Sequence, residues 1–442
     1  MSRGYYDTEE LIAALATPWG ESALAVIRTA GSGALEAFAT CFSRPEAVRT
    51  GRSGTLHHGY ILDSVTGKPV DEVTIALFRA PSGYTGQDSV EVFCHGSLPG
   101  IHRIMEVLHS AGFRDAEPGE FTLRAFVQGK LDLTRAEAVQ EIVSAKTLTA
   151  HSLALGRLSG NLFREIDAIK GDLVRLLALV EVQLDYAEDE IEEPVEIPVS
   201  VVSALKERIH RLAATYSAGK MYAEGVRIVL AGRTNSGKSS LFNLFLKEDR
   251  SIVSDVHGTT RDYIESWISI RGVPVKLFDT AGFRSAADRI EEEGIRRSGR
   301  IVDAADIILY LIDGENGLSE EAARDLANLR GETPVVTVWS KADIARTTPP
   351  AEGVAVSAVT GEGFEQLEDA IVAVLPGVRL SQNAEIMIDS LRQKELLDRS
   401  EQYLDQAVEN LRRGMPLDLT APEISGAVDS LGELTGEVTS AD

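Results

Sequence analysis

The run Gly232-Arg233-Thr234-Asn235-Ser236-Gly237-Lys238-Ser239 constrains the fold of this chain more than any other segment. It matches Gly-x-x-x-x-Gly-Lys-Ser, follows the apolar run Val226-Arg227-Ile228-Val229-Leu230, and precedes Ser240-Leu241-Phe242-Asn243-Leu244-Phe245-Leu246. Strand, glycine-rich turn, then helix is the context in which such a loop binds phosphate. The glycines let the backbone wrap until its N–H groups face phosphate oxygens, and the helix N-terminus adds positive potential. Asn235, Ser236, Gly237, Lys238, Ser239 and Ser240 are candidate nucleotide contacts, with Lys238 reaching the outer phosphates and Ser239 ligating Mg²⁺.

A second β-type run, Val273-Pro274-Val275-Lys276-Leu277-Phe278, leads into Asp279-Thr280-Ala281-Gly282. A carboxylate at a strand end can hold Mg²⁺ through water, and Gly282 lets the backbone approach the terminal phosphate. Asp-Thr-Ala-Gly after a phosphate loop is specific to GTPases. Two more strands bring base recognition: Val335 to Trp339 runs into Ser340-Lys341-Ala342-Asp343, and Gly353 to Val356 runs into Ser357-Ala358. Asp343 can accept from the ring N–H and exocyclic amine of guanine, a pattern adenine lacks. Lys341 can lay its stem over the base, and the Ala358 amide can donate to the guanine carbonyl. Guanine is expected over adenine. The usual motif begins with Asn where Ser340 stands; serine has one donor fewer, so weaker base affinity is expected.

Many small GTPases carry Gln directly after Asp-x-x-Gly to orient water, and here the position is Phe283, whose ring cannot polarise water. Glu291, Glu292 and Glu293 follow, either as a water-orienting group or as a solvated helix face near Arg296 and Arg297. Gly258-Thr259-Thr260-Arg261-Asp262 sits where GTPases place the threonine that completes the Mg²⁺ shell.

A length of 442 residues predicts roughly three domains. No apolar run reaches the ~18 residues of a membrane span, and the start lacks a secretory profile, so no membrane association and a cytoplasmic location are expected. Cys41 and Cys94 read as small buried apolar residues. A formal charge of −24 excludes broad charge-driven adhesion to nucleic acid, leaving room for a small basic patch. Glu188 to Glu193 reads as a solvated linker. The scattered histidines, His57, His58, His95, His102 and His109, lack metal-ligand spacing.

Short β-type runs (Leu24 to Ile27, Val73 to Phe78, Val90 to Phe93) predict an N-terminal α+β domain. Leu162, Ile166, Ile169, Leu173, Leu176, Val180 and Leu184 predict one long amphipathic helix, and Leu391 to Leu411 restores helical spacing. Between them lies an α/β block, and the simplest topology inserts it into one helical domain, with separate flanking bundles as the alternative.

Beyond the nucleotide motifs, the chain carries Ala16-Thr17-Pro18 with Arg28, Ser82-Gly83-Tyr84-Thr85-Gly86-Gln87-Asp88, His95-Gly96, and Pro118-Gly119-Glu120-Phe121-Thr122-Leu123-Arg124-Ala125-Phe126. This last run continues through Gly129-Lys130-Leu131-Asp132-Leu133 to Ala136-Glu137-Ala138-Val139, and Leu431 to Glu437 adds a C-terminal segment. Over nearly its full length the chain resembles the bacterial tRNA modification GTPases of the MnmE/TrmE type, which act on the wobble uridine.

The resemblance implies an α+β N-terminal domain for tetrahydrofolate binding and dimerisation (1–117), an all-α helical domain in two parts (118–220 and 379–442), and an inserted α/β P-loop GTPase domain of Ras-like fold (221–378). It implies a one-carbon tetrahydrofolate, in 5-formyl or methylene form, contacted by Arg28, Glu91 and Lys130. It also implies a potassium ion held by Asn235, Ser254, Val256 and Thr259 when two GTPase domains meet, with Thr260 on Mg²⁺ and Glu291 orienting the attacking water indirectly; Asn235, Lys238 and Glu291 are the catalytic candidates. The partners implied are a second copy, a flavin-dependent protein in a hetero-oligomer, and tRNA, whose uridine C5 receives an aminomethyl-type group.

The sequence departs from the family pattern at Thr234 for Pro, Gln87 for Glu and Ser97 for Gly, with small effects expected. The family's Cys-x-Gly-Lys tail, placed near the folate, has no counterpart up to Asp442, which leaves GTP hydrolysis expected and the tRNA step in question. Two other readings compete: a ribosome-assembly or RNA-remodelling GTPase without folate, and a nucleotide-gated scaffold with negligible turnover.

Overall fold

The computed structural model describes residues 8–185, 197–248, 265–279, 305–329, 331, 333–346, 350, 353–375 and 386–437. Its chain divides into two compact units, Met1–Glu137 and Ala138–Asp442. In the first, β1 (Ile12–Leu15), β2 (Ser22–Ala30), β3 (Thr55–Leu62), β4 (Pro69–Phe78), β5 (Ser89–Gly96) and β6 (Arg114–Asp115) form one sheet ordered β3-β4-β5-β2-β1-β6. Five strands pair antiparallel and β6 joins parallel to β1. Along β3 the side chains alternate as a half-covered sheet requires: Gly59 and Ile61 are buried, Leu56, His58 and Tyr60 exposed.

Helices α1 (Ala34–Ala39), α2 (Pro45–Thr50), α3 (Leu98–Ser110) and α4 (Glu120–Val127) complete this unit. At the start of α3 the Ser97 hydroxyl accepts from the Gly100 amide at 3.2 Å, and Ile101, Ile104, Met105 and Leu108 carry its apolar stripe into a core with Phe38, Ile27, Ile75 and Val92. Cys41 and Cys94 are buried there, and burial pushes their thiols up to about 12 and about 11. His58 and His95 pair with Glu72 and Asp71 at 2.7 and 2.8 Å.

A charged knot fastens α4 to the sheet. Arg124 is fully buried and donates to Glu120 at 2.8 Å, to the Glu10 carbonyl at 2.7 Å and to Gln87 at 3.3 Å. Glu120 also receives both terminal nitrogens of Arg114 at 2.8 Å. Burial alone would raise the Glu120 carboxyl, but Arg114, the Glu117 amide and Arg124 outweigh it and hold it at about 2.

The chain continues through α5 (Leu133–Ser144), α6 (Leu148–Leu158), α7 (Asn161–Asp185), α8 (Val199–Ala214) and α9 (Tyr216–Glu224). Of these, α7 is the long helix expected: Leu162, Ile166, Ile169, Leu173, Leu176 and Val180 are buried, while Leu184, near its end, is 47% exposed. Helices α13 (Leu391–Arg412) and α14 (Ala421–Thr435), beyond the α/β block, share one core with α7 and α8 through Leu396, Leu404, Ile424 and Leu431. That common core selects a single helical body over separate bundles.

The block between them is a second sheet of β7 (Val226–Gly232), β8 (Glu265–Ile270), β9 (Val273–Asp279), β10 (Ile307–Asp313), β11 (Val335–Ser340) and β12 (Gly353–Val356), ordered β12-β11-β10-β7-β9-β8. All pairs are parallel except β8 with β9. Helices α10 (Lys238–Glu248), α11 (Glu320–Leu329) and α12 (Phe364–Val374) supply crossovers. The continuous apolar run of β10 follows from burial on both faces: Ile307, Leu309 and Leu311 pack with α10 and α12, and Tyr310 and Ile312 pack with Ala322 of α11.

Both chain connections to this block are fixed. Gly225, with φ 79°, joins α9 to β7 where a Cβ would come within 2.4 Å of the Trp267 ring. On the return, Arg157 pairs with Glu141 and, at 2.8 Å, with Asp389, and donates to the Met387 carbonyl. Burial raises the Glu141 carboxyl above its usual range, with Arg157 opposing and Asp389 adding to it. Among the described residues no helix is long and apolar enough to cross a membrane.

Replacing Glu120 by Gln leaves Arg124 buried without its carboxylate and is expected to destabilise the first unit by about 3–5 kcal/mol, read as a lowered urea midpoint. A carboxyl held at about 2 against an ordinary 4.5 stabilises fully above pH 4.5 and loses that contribution as pH falls through about 2. The variant should therefore show a flatter acid limb than the wild type.

Candidate functional site

The phosphate loop is built by a strand that must turn sharply into a helix. Gly232 ends β7 with φ 135°, and a Cβ there would lie 2.5 Å from the Leu311 carbonyl oxygen; Gly237 takes φ 86° at the entry to α10. Both positions therefore require glycine. Asn235 takes φ 64° without that freedom, a conformation that non-glycine residues hold at a cost and that clusters at functional sites. The loop makes its own cradle: Lys238 is buried, and its ammonium donates to the carbonyls of Gly232 and Arg233 at 2.9 and 2.7 Å. Ser236 Oγ is buried with no hydrogen-bond partner, a polar atom oriented within the loop and suited to a ligand oxygen. Ser239 and Ser240 are exposed on the first turn of α10.

Parallel pairing of β7 with β9 sets Leu230 against Asp279, and the Ser239 hydroxyl donates to Asp279 Oδ2 at 3.0 Å. A hydroxyl and a buried carboxylate at this separation are hard oxygen donors of the kind Mg²⁺ takes, so the two residues fit the ion. Gly282, Ser254, Val256, Thr259, Thr260, Phe283 and Glu291 lie outside the described residues.

The base loop follows β11 and β12. Ser340 is buried, and its hydroxyl donates to the Ile312 carbonyl at 3.1 Å, so it faces back into the sheet. It still abuts the phosphate loop, since a Cβ at Gly237 would lie 3.4 Å from it. Lys341 takes φ 56°, and its ammonium pairs with Asp313 at 2.8 Å. Asp343 is exposed and accepts from the Ser357 hydroxyl at 2.6 Å. Ser357 Oγ also accepts from the amides of Val359 and Thr360 at 3.3 and 3.2 Å, which fixes the turn that carries Ala358. Lys341, Asp343, Ser357 and Ala358 thus meet at the C-terminal ends of adjacent parallel strands, where open α/β sheets bind ligands.

In the first unit, Arg28 and Glu91 face each other across β2 and β5, and their side chains pair at 2.9 Å. The Arg28 guanidinium lies 5.3 Å from the Tyr84 ring centre and 5.8 Å from that of Phe121. Tyr84 also shares a 2.9 Å hydrogen bond with Thr122. Lys130 donates to the Pro81 carbonyl at 2.9 Å and packs its stem near Gly86, at the two ends of the loop that carries Tyr84. The three residues expected to hold a folate are therefore gathered around one loop, with an aromatic pair beside a half-exposed cation and carboxylate, a chemistry that fits a pterin and its acidic tail. Sequence reasoning assigned no role to Tyr84, Phe121 or Asp313; the only signals were aromatic residues in the family motifs and an acid closing an apolar strand.

A family model described as the MnmE helical domain matches residues 133–442, and one described as the GTP-binding protein TrmE N-terminus matches residues 11–130. The chain is similar to the tRNA modification GTPase MnmE of Borrelia recurrentis, 42% identical over 454 residues that cover 100% of this chain and 97% of the relative. It is 40% identical to the protein of the same name from Treponema denticola over 461 residues, with 100% and 97% covered. Among solved structures, the G domain of the T. maritima FeoB iron transporter is 28% identical, with a TM-score of 0.27, covering 34% of this chain and 97% of that one.

Lys238→Met keeps the stem and removes the charge. A charge-assisted contact of about 1.5–3 kcal/mol translates into about ten- to hundredfold weaker guanine nucleotide binding, measurable by titrating a fluorescent GDP analogue, while the methionine still packs in place of the lysine stem and the thermal midpoint stays close to wild type.

Proposed function

Because the chain belongs to the MnmE family of tRNA modification GTPases, we propose that it hydrolyses GTP with Mg²⁺ in the modification of tRNA. The observation that carries this reading is the contact of Ser239 with Asp279 at 3.0 Å, with Lys341 and Asp343 following β11 at the same ends of the parallel strands. In this reading Asn235 to Ser240 bind the phosphates with Ser254, Thr259, Thr260, Asp279 and Gly282, and Lys341, Asp343, Ser357 and Ala358 bind guanine. Ser239 and Thr260 ligate Mg²⁺.

The finer proposal concerns how hydrolysis proceeds with Phe283 in the usual glutamine position. Asn235, whose strained backbone marks it as a constrained position, is proposed to ligate potassium together with Ser254, Val256 and Thr259. A monovalent cation there would supply positive charge against the charge that develops as the γ-phosphate leaves. Lys238 neutralises the outer phosphates, and Glu291 orients the attacking water. Pairing of GTPase domains is proposed to complete the site.

For the first unit we propose a one-carbon tetrahydrofolate, with Arg28 and Lys130 taking its carboxylates and carbonyls and Glu91 its pterin. The bound folate would supply the carbon added at C5 of the wobble uridine. Dimerisation through this N-terminal domain, a flavin-dependent partner and a cytoplasmic location belong to the same proposal, as do domain limits at 117, 220 and 378. The folate-free alternative, a ribosome-assembly or RNA-remodelling GTPase, has no use for the Arg28, Tyr84 and Phe121 cluster.

GTP turnover measured in potassium and in sodium tests the mechanism. Turnover should be at least about tenfold faster in potassium, and Asn235→Ala should erase the difference; equal slow rates in both salts would sink the potassium reading. A separate titration with 5-formyltetrahydrofolate should show saturable binding that Arg28→Ala weakens about tenfold or more, and no binding would favour the folate-free alternative.

A further inference from the structure

Asp313 closes β10 directly opposite Ser340, the residue that precedes Lys341. Its carboxylate is immobilised by its own turn, since Oδ1 accepts from the Glu315 amide at 3.0 Å and Oδ2 from the Asn316 side chain at 2.9 Å. The same Oδ2 takes the Lys341 ammonium at 2.8 Å. The turn is itself clamped to the base loop: the Gly314 amide donates to the Ser340 carbonyl at 2.9 Å, and the Arg346 amide donates to the Gly314 carbonyl at 3.2 Å. Contact is so close that a Cβ at Gly314 would lie 2.5 Å from the Ser340 carbonyl oxygen.

We propose that Asp313 is a positioning residue for guanine, anchoring the Lys341 ammonium so that the lysine stem stays laid across the base site; the inference rests on the guanine-site reading above. Two features give the anchor weight in this chain. Ser340 gives its one hydroxyl proton to the Ile312 carbonyl, so that donor points into the sheet. Lys341 also takes φ 56° in the left-handed region, and the far end of its side chain is held by Asp313 at 2.8 Å. A lysine without the anchor would be ordered anew by each binding event, which corresponds to about three- to tenfold in affinity.

The test is a titration of a fluorescent GDP analogue, with steady-state GTP turnover, on the full chain and on Asp313→Asn, Asp313→Glu, Lys341→Met and the double variant Asp313→Asn with Lys341→Met. Asp313→Asn should weaken GDP binding and raise KM about three- to tenfold with kcat within about twofold. Asp313→Glu, which keeps the carboxylate, should recover most of that loss. In the Lys341→Met background, Asp313→Asn should cost nothing further. Unchanged GDP affinity in Asp313→Asn, an equal loss in the Lys341→Met background, or a fall in kcat at constant KM overturns the proposal. Should Asp313→Asn fail to fold, as judged by its thermal midpoint, Lys341→Met carries the test: wild-type affinity there overturns the anchor, and a loss of about three- to tenfold supports it. A wild-type chain that binds no GDP overturns the guanine-site reading itself.

Discussion

Ser239 and Asp279 meet at 3.0 Å only because β7 and β9 run parallel in a register that sets Leu230 against Asp279. Slip that register by one residue and the carboxylate turns to the other face of the sheet, since side chains alternate with period two. What fixes the register is burial: Ile228 and Leu230 of β7 and Val275 and Leu277 of β9 enter one core with Phe245 of α10. The same core holds Leu309 and Leu311 of β10, Val338 of β11 and Val356 of β12. The described groups that meet the nucleotide in the proposed reading sit at strand ends, in the loops that follow them or on the first turn of α10, and this core decides where those strands and that helix lie. The chemistry is polar, and apolar packing sets its tolerances.

The first unit solves a similar problem with charge. Arg28 reaches its aromatic neighbours from β2, while Phe121 and Thr122 come from α4, so the arrangement requires α4 to be pinned. Arg124 pins it from the same helix, entirely buried and satisfied by Glu120, Gln87 and the Glu10 carbonyl. A buried ion pair is a poor source of net stability but a strict one of geometry, because any misalignment strands a charge away from water. Gln87 accepts from Arg124 at 3.3 Å and donates to the Thr8 carbonyl at 2.7 Å, the second a bond that an amide can make and a carboxylate cannot.

Strands and long helices were legible in the sequence because their signals are local. The apolar run at Val226 is β7, the spacing from Leu162 is α7, and the glycines of the phosphate loop carry the positive φ their positions demand. That the two helical stretches form one body is inferred in the sequence from their flanking the α/β block and from the family resemblance. Spacing alone leaves separate bundles open, since the outcome depends on contacts such as Leu173 and Leu431 entering one core across more than half the chain. The candidate site divides in the same way. Motifs revealed Lys238, Ser239, Asp279, Lys341 and Asp343, each tied to a spacing. Asp313 escaped because it is a single acid after a strand, and its partner lies on another strand. Tyr84 and Phe121 escaped for the same reason, as their shared neighbour Arg28 is distant in sequence.

A chain of net charge −24 that is proposed to hold phosphates and a folate must keep its cations effective in an acidic field. At physiological ionic strength that field is screened within about 8 Å, so local pairing decides. Each candidate cation is already held by the protein: Lys238 by two carbonyls, Lys130 by the Pro81 carbonyl, Arg28 by Glu91, and Lys341 by Asp313. The partners fall into two kinds. A carbonyl orients an ammonium without cancelling its charge, which suits Lys238 and Lys130 to an incoming anion. A carboxylate neutralises Lys341, which suits a group that acts through its methylene stem, while Glu91 pairs with Arg28, whose guanidinium also lies over two aromatic rings. Burial tends to raise the Asp313 carboxyl, and Lys341, the Glu315 amide and Asn316 outweigh it and hold it below its usual range. The kind of partner thus distinguishes the cations: Lys238 and Lys130, oriented by carbonyls, keep their full charge for phosphate and carboxylate, Lys341 offers its stem to the flat base, and Arg28 must give up part of its pairing with Glu91 to take a folate carboxylate or carbonyl.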